Sequence, residues 1–70
     1  MEKRFEFGKI LKELRDEKDI SQSTLASMLF VSQDTVSLWE RNKSLPDFNS
    51  VKKLAVIFDV SADILLGLKD

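Results

Sequence analysis

The segments ISQSTL (residues 20–25) and VSQDTV (residues 31–36) carry one six-residue pattern twice, eleven residues apart: β-branched apolar, Ser, Gln, any residue, Thr, aliphatic. A serine placed ahead of an amphipathic run is a helix start, because its hydroxyl accepts a backbone N–H that the first turn leaves unpartnered. The apolar residue before such a cap and the one four positions after it close over the helix end as a hydrophobic staple. Ile20, Ser21 and Leu25 fill these places, and Val31, Ser32 and Val36 fill them again. Val60, Ser61 and Leu65 form a third copy near the other end of the chain. The first two copies predict short helices over 22–30 and 33–42 with almost no connector between them, and no period continues beyond them.

Two short helices across a turn of about three or four residues make a helix-turn-helix unit. Around it, Phe7, Ile10, Leu11 and Leu14 fall at helical spacing and predict a first helix over 5–18. Its outer residues Lys9, Lys12, Glu13, Asp16 and Glu17 read as a solvated face with helical ion pairs. Asn42 to Pro46 form a loop, and Asp47 caps a fourth helix over 48–58 whose inward stripe is Val51, Leu54, Ala55 and Phe58. The third staple opens a last helix over 62–66, stopped by Gly67. No stretch reads as a strand. The expected architecture is all-α, five helices in one domain spanning residues 1–70.

The residue inventory narrows the chemistry. The chain has no Cys, His or Tyr, no glycine-rich phosphate loop and no metal-ligand spacing. An enzyme, a metal site and a cofactor are therefore all unexpected. The first residues, MEKRFEFGKILKEL, alternate charged with apolar side chains, so neither a signal peptide nor a spanning helix is expected, and a cytoplasmic protein is. The net charge of −1 and pI of about 5.4 lack the basic excess usual for nucleic-acid binders, so the placement of charges matters more than their sum.

On a helical wheel with Val36 pointing inward, Trp39 and Glu40 share its side of the third helix. Asp34, Ser37, Leu38 and Arg41 point away, and Gln33 projects from the first turn. A helix held by two large apolar residues with a short polar outer face suits a surface meant to touch something. Trp39 reads as core rather than as a base-stacking platform, and Phe5 and Phe7 read as covers over the core. Glu40, turned inward, needs a partner. Arg15 is the candidate for an ion pair, and removing either member alone is expected to cost a few kcal/mol. Lys52 and Lys53 read at least as well as a solvated face as they do as phosphate contacts. Val56, Ile57, Phe58 and Ile64 are more apolar than one side of a short helix needs, which leaves extra core and a two-fold contact both open.

The stretch Gln22–Asn42 resembles the phage-repressor/Cro-type helix-turn-helix, the XRE family, with a lambda-repressor-like fold. The resemblance extends from Leu11–Arg15 through Ile20-Ser21-Gln22, Leu25-Ala26, Val31-Ser32, Val36, Trp39-Glu40, Pro46 and Leu54-Ala55 to Leu65-Leu66. In such units the small side chain at Ala26 lets the two helices approach closely. The resemblance implies that helix three lies in the major groove and helix two crosses the backbone above it. It implies base-contacting roles for Gln33, Asp34, Ser37 and Leu38, a glutamine amide being able to pair bidentately with adenine. It implies phosphate contacts at Ser21, Gln22, Thr35, Arg41 and Lys43, with Gln22 helped by the helix dipole. It also implies pairing of two copies near the end of helix four and the start of helix five, which points to Ile57, Phe58 and Ile64.

Three positions depart from the family pattern, and a fourth, Asp34, bears on the charge of the reading helix. Phe30 stands where Gly is common at the turn, which implies either another conformation or strain with an exposed ring. Asn42 and Asp59 replace Gly after helices three and four, and both tolerate left-handed geometry better. Asp34 places a negative charge on the reading helix. The function expected from the resemblance is a sequence-specific DNA-binding transcriptional regulator, a repressor in its simplest form. It would act at the nucleoid as a homodimer on a pseudo-palindromic operator, with reading helices roughly 34 Å apart. No small-molecule ligand is expected, and no sensing domain within these residues. The alternative is a protein-interaction or antitoxin-like module that keeps the fold, which the acidic balance, Asp34 and Phe30 favour.

Overall fold

The computed structural model describes residues 6–68, and five helices follow one another within them. They are α1 (Phe7–Glu17), α2 (Gln22–Leu29), α3 (Gln33–Glu40), α4 (Phe48–Phe58) and α5 (Ala62–Leu65). No strand occurs among the described residues. Phe5 lies outside them, and α1 opens at Phe7. The first, second, third and fifth helices end one or two residues earlier than the apolar spacing predicts, and one device explains all four.

Each helix is closed by a residue in the left-handed conformation: Asp19 (φ 58°), Phe30 (60°), Asn42 (57°), Asp59 (55°) and Gly67 (77°). The residue after it donates its N–H to the carbonyl five positions back. These bonds are Ile20 to Arg15 (3.2 Å), Val31 to Ala26 (3.0 Å), Lys43 to Leu38 (2.8 Å), Val60 to Ala55 (3.0 Å) and Leu68 to Asp63 (2.9 Å). This is the Schellman closure, which satisfies carbonyls that a helix end leaves open. Three of the donors, Ile20, Val31 and Val60, are the β-branched residues of the repeated pattern, and a capping serine follows each. The hydroxyls of Ser21, Ser32 and Ser61 accept from the N–H groups of Thr24 (3.0 Å), Thr35 (3.1 Å) and Ile64 (3.1 Å).

The complete joint is therefore three residues: left-handed, β-branched, serine. It recurs as Asp19-Ile20-Ser21, Phe30-Val31-Ser32 and Asp59-Val60-Ser61. One β-branched side chain closes the helix behind it and staples the helix ahead. Ile20, Val31 and Val60 pack against the core, while Leu25, Val36 and Leu65 are fully buried. The fourth connection is longer, and Asp47 caps α4 by accepting from the Ser50 N–H at 3.0 Å. The Ser50 hydroxyl and then its N–H hold the Asp47 carboxyl below its ordinary value. The cap therefore works fully above the usual carboxylate range and is lost as pH falls through the lowered value.

Two of the three joints place Asp at the left-handed position, which its short side chain tolerates; the third places Phe30 there with its ring 88% exposed. Phe30→Asn is therefore expected to stabilise the fold by about 1 kcal/mol. Urea unfolding checks this, and an unchanged or lower midpoint would show that the backbone strain is not real.

The core gathers Phe7 and Leu11 from α1, Leu25, Ala26 and Leu29 from α2, Val36 and Trp39 from α3, Val51, Leu54 and Phe58 from α4, and Leu65 from α5. Phe7 meets Trp39 edge-on, with centroids 6.5 Å apart. Phe58 lies four residues after Leu54 and seven after Val51, so it joins the same stripe and is 5% exposed. That corrects its assignment to a dimer contact: a side chain filling the core is not on offer to a second copy. Ile57 and Ile64 are half-buried, as is Ala55, while Val56 and Phe48 are apolar residues of α4 that face solvent.

Gly8 sits where α1 crosses the end of α3. A Cβ there would stand 2.5 Å from the Glu40 carbonyl oxygen and 2.8 Å from that of Trp39. The Gly8 N–H donates to Asn42 Oδ1 at 3.0 Å, so the residue that closes α3 also caps α1. Gly8→Ala should destabilise the fold by about 1–3 kcal/mol through overpacking, although alanine is the better helix former. A Gly8→Ala chain that unfolds at the parental urea concentration would contradict this close approach.

Candidate nucleic-acid interface

The first turn of α3 is set by Ser32, and its inward side by Val36 and Trp39, which are 0% and 3% exposed. With those two fixed, 100° per residue turns Gln33, Asp34, Leu38 and Arg41 outward, and all four are exposed; Ser37 is half-buried between them. Leu38 is only 37% exposed, so it presents an edge rather than a whole side chain. Arg41 Nε donates to Ser37 Oγ at 3.2 Å, which holds the guanidinium along the helix. Asp34 lies in the first turn, where its charge favours the positive end of the α3 dipole. The exposed side of α3 thus offers one amide, one carboxylate, one hydroxyl, one guanidinium and an aliphatic edge, a set able to meet base edges and phosphates.

Arg15 and Glu40 are brought together. Arg15 Nε donates to Glu40 Oε2 at 2.7 Å and its Nη2 to Oε1 at 3.1 Å, a two-pronged pair with side chains 12% and 4% exposed. Its Nη1 donates to the Ile20 carbonyl at 2.8 Å. The hydrogen bond to Glu40 raises the Arg15 pKa above its ordinary value, with burial opposing it. Gln22 joins this group, donating from Nε2 to Glu40 Oε1 at 3.0 Å. One carboxylate at the end of α3 therefore ties down α1, the α1–α2 joint and the first residue of α2.

This changes the picture of the residues expected at phosphates. The Gln22 amide is half-buried and engaged with Glu40, because the ion pair stands within reach of the start of α2. At the start of α2 the Thr24 N–H is taken up by the Ser21 hydroxyl, and the N–H groups ahead of it have no partner within the helix. The Ser21 hydroxyl is taken up by capping and by bonds to Ser23 (3.1 Å) and Thr24 (3.0 Å). Thr35 is half-buried with its hydroxyl 2.9 Å from Ser32 Oγ. Arg41 and Lys43 remain exposed cations at the end of α3. Sequence reasoning missed the bonds Gln22–Glu40 and Gly8–Asn42, and no spacing signal marks either one. Among the described residues no group of three or more acidic, His or Cys side chains could hold a metal ion, and no helix is long and apolar enough to cross a membrane.

Comparison with known proteins places this arrangement. Residues 11–65 match the helix-turn-helix family model. The chain is 39% identical over 62 residues to the HTH-type transcriptional activator BcrR of Enterococcus faecalis, covering 89% of this chain and 30% of BcrR. It is 37% identical over 60 residues to the HTH-type transcriptional regulator ImmR of Bacillus subtilis, covering 86% of this chain and 47% of ImmR. The chain thus spans less than half the length of either. Its structure superposes on the P22 c2 repressor, solved in complex with a synthetic operator, with a TM-score of 0.84 and 28% identity over 90% of this chain and 96% of that one. The fold is lambda-repressor-like, and the chain belongs to the helix-turn-helix family of the phage-repressor/Cro type.

Proposed function

We propose that this chain is a sequence-specific DNA-binding module of a transcriptional regulator, reading the major groove with α3 and bound to a pseudo-palindromic duplex as a homodimer. The observation that carries the reading is α3 itself: a helix anchored by buried Val36 and Trp39 and by the Glu40 ion pair at its end, with Gln33, Asp34, Ser37 and Leu38 on its outer side. The operator-bound P22 c2 repressor, of the same fold, supports it. Gln33 is proposed to pair with adenine, Asp34 to accept from a cytosine amino group and Leu38 to contact a thymine methyl. Arg41, Lys43 and the leading N–H groups of α2 are proposed to hold phosphates, with the Gln22 side chain steering α2 through Glu40. Ile57 and Ile64 stay as candidates for the two-fold contact. Repression follows if the module covers a promoter. The chemistry is binding, with no catalytic step, which suits a cytoplasmic protein acting at the nucleoid.

Selection from random-sequence duplexes tests the reading. Enrichment of two inverted half-sites about one helical turn apart is expected, roughly 10 base pairs centre to centre. Recovery of no common sequence would overturn it.

A further inference from the structure

A second surface lies between α2 and α4; none of its residues belongs to the proposed reading face, and Ile57 at its floor is shared with the candidate two-fold contact. Met28, Val56, Ile57 and the stems of Lys52 and Lys53 line an open groove of about 340 Å³. Met28 is 47% exposed and Val56 81%. Phe30 continues the apolar surface, since the Lys53 ammonium stands 5.6 Å from its ring centre. The Lys52 ammonium stands likewise 5.5 Å from the exposed ring of Phe48.

The charge of this surface says what fits it. Among the described residues the ion pairs are Lys12–Asp16, Arg15–Asp16 and Arg15–Glu40, so neither Lys52 nor Lys53 has a carboxylate partner. Asp47 feels the Lys53 charge, but its own bonds go to Ser50. A second copy docked by the same face about a two-fold axis would set these lysines against themselves, because no acidic residue lines the groove. A phosphate backbone would meet the lysines yet leave Met28, Phe30 and Val56 against hydrated charge. A purely apolar partner would bury two unpaired ammonium groups. Apolar side chains flanked by carboxylates satisfy both parts at once. Phe30 adds an independent reason: it keeps a strained backbone and an exposed aromatic where the sister joints have Asp, and its one ring contact among the described residues is the surface approach of the Lys53 ammonium.

We infer that the groove between α2 and α4, with Phe30 at its edge, docks an acidic amphipathic helical segment of a partner protein. Its apolar residues, at i and i+3 or i+4, enter between Met28 and Val56, and its carboxylates meet Lys52 and Lys53. The inference does not depend on DNA binding.

The test is a displayed library of random helical peptides, selected against the intact chain. Enriched peptides are expected to combine that apolar spacing with Asp or Glu. Their affinity should fall roughly tenfold or more for Lys52→Glu combined with Lys53→Glu, and also for Val56→Asp, with helical circular dichroism unchanged. Phe30→Asn should weaken the same peptides while raising the thermal midpoint by about 4–8 °C, an opposite pair of effects that simple misfolding cannot produce. Three outcomes overturn the inference: no enrichment, enriched peptides that bind the charge-reversed chain equally well, or displacement of the peptides by excess random duplex, which would make the lysines phosphate contacts.

Discussion

Glu40→Ala is expected to lower stability by about 3–5 kcal/mol, the range for stranding one member of a buried ion pair. In a chain of seventy residues that is most of the stability available, so much of the variant should be unfolded at room temperature. The size follows from the number of groups stranded together. Glu40 accepts from Arg15 twice and from Gln22 once, and its side chain is 4% exposed. Without it the guanidinium keeps only the Ile20 carbonyl and the exposed Asp16 carboxylate nearby. Arg15→Ala should be similarly severe, because it leaves the carboxylate with the Gln22 amide alone. The double replacement Arg15→Met with Glu40→Leu should recover most of the loss, since well-packed apolar groups replace a buried pair at little cost. Urea unfolding of the two single variants and the double one gives the coupling directly. Single variants within 1 kcal/mol of the parent, on the scale of a surface pair, would refute this prediction.

The second large effect concerns DNA. Under the proposed function, Gln33→Ala should weaken the selected duplex by about 1–3 kcal/mol and relax preference at one base pair of each half-site. Its stability should be unchanged, because the side chain is exposed and bonded to nothing else in the fold. Gln22→Ala should behave differently. It removes the bond to Glu40 and loosens the start of α2, so it should weaken all duplexes alike and lower the urea midpoint as well. Equal losses on selected and scrambled duplexes for Gln33→Ala would remove Gln33 from the reading face.

What the sequence made legible was local. A serine cap and the N–H it accepts are three residues apart, so Ser21, Ser32 and Ser61 mark their helix starts unaided. Periodicity set Val36 and Trp39 inward, and burial without a like-sized apolar role pointed Glu40 at Arg15. The helix ends were harder to read. Glycine is the usual sign of a left-handed closure, and only Gly67 carries it; Asp19 and Phe30 give no such sign. Contacts across helices left no trace in spacing at all. Gln22 meets Glu40 eighteen positions away and Gly8 meets Asn42 thirty-four away, and only the assembled packing brings them within reach. The same holds for the groove, whose lining joins one residue of α2 to four of α4. Phe58 illustrates the limit of composition: an excess of apolar residues near the end of α4 was evident, but that Phe58 turns inward and Val56 outward was decided by phase against the core.

The most direct test of the proposed reading face is amide chemical-shift mapping of the chain titrated with the selected duplex. The largest changes are expected at Gln33, Asp34, Ser37 and Leu38 and at the first residues of α2, with Met28 unmoved and changes on α4 and α5 limited to the surroundings of the proposed two-fold contact at Ile57 and Ile64. Changes concentrated at Met28, Phe30 and Val56, with the outer side of α3 silent, would contradict it and leave the groove as the functional surface of the chain.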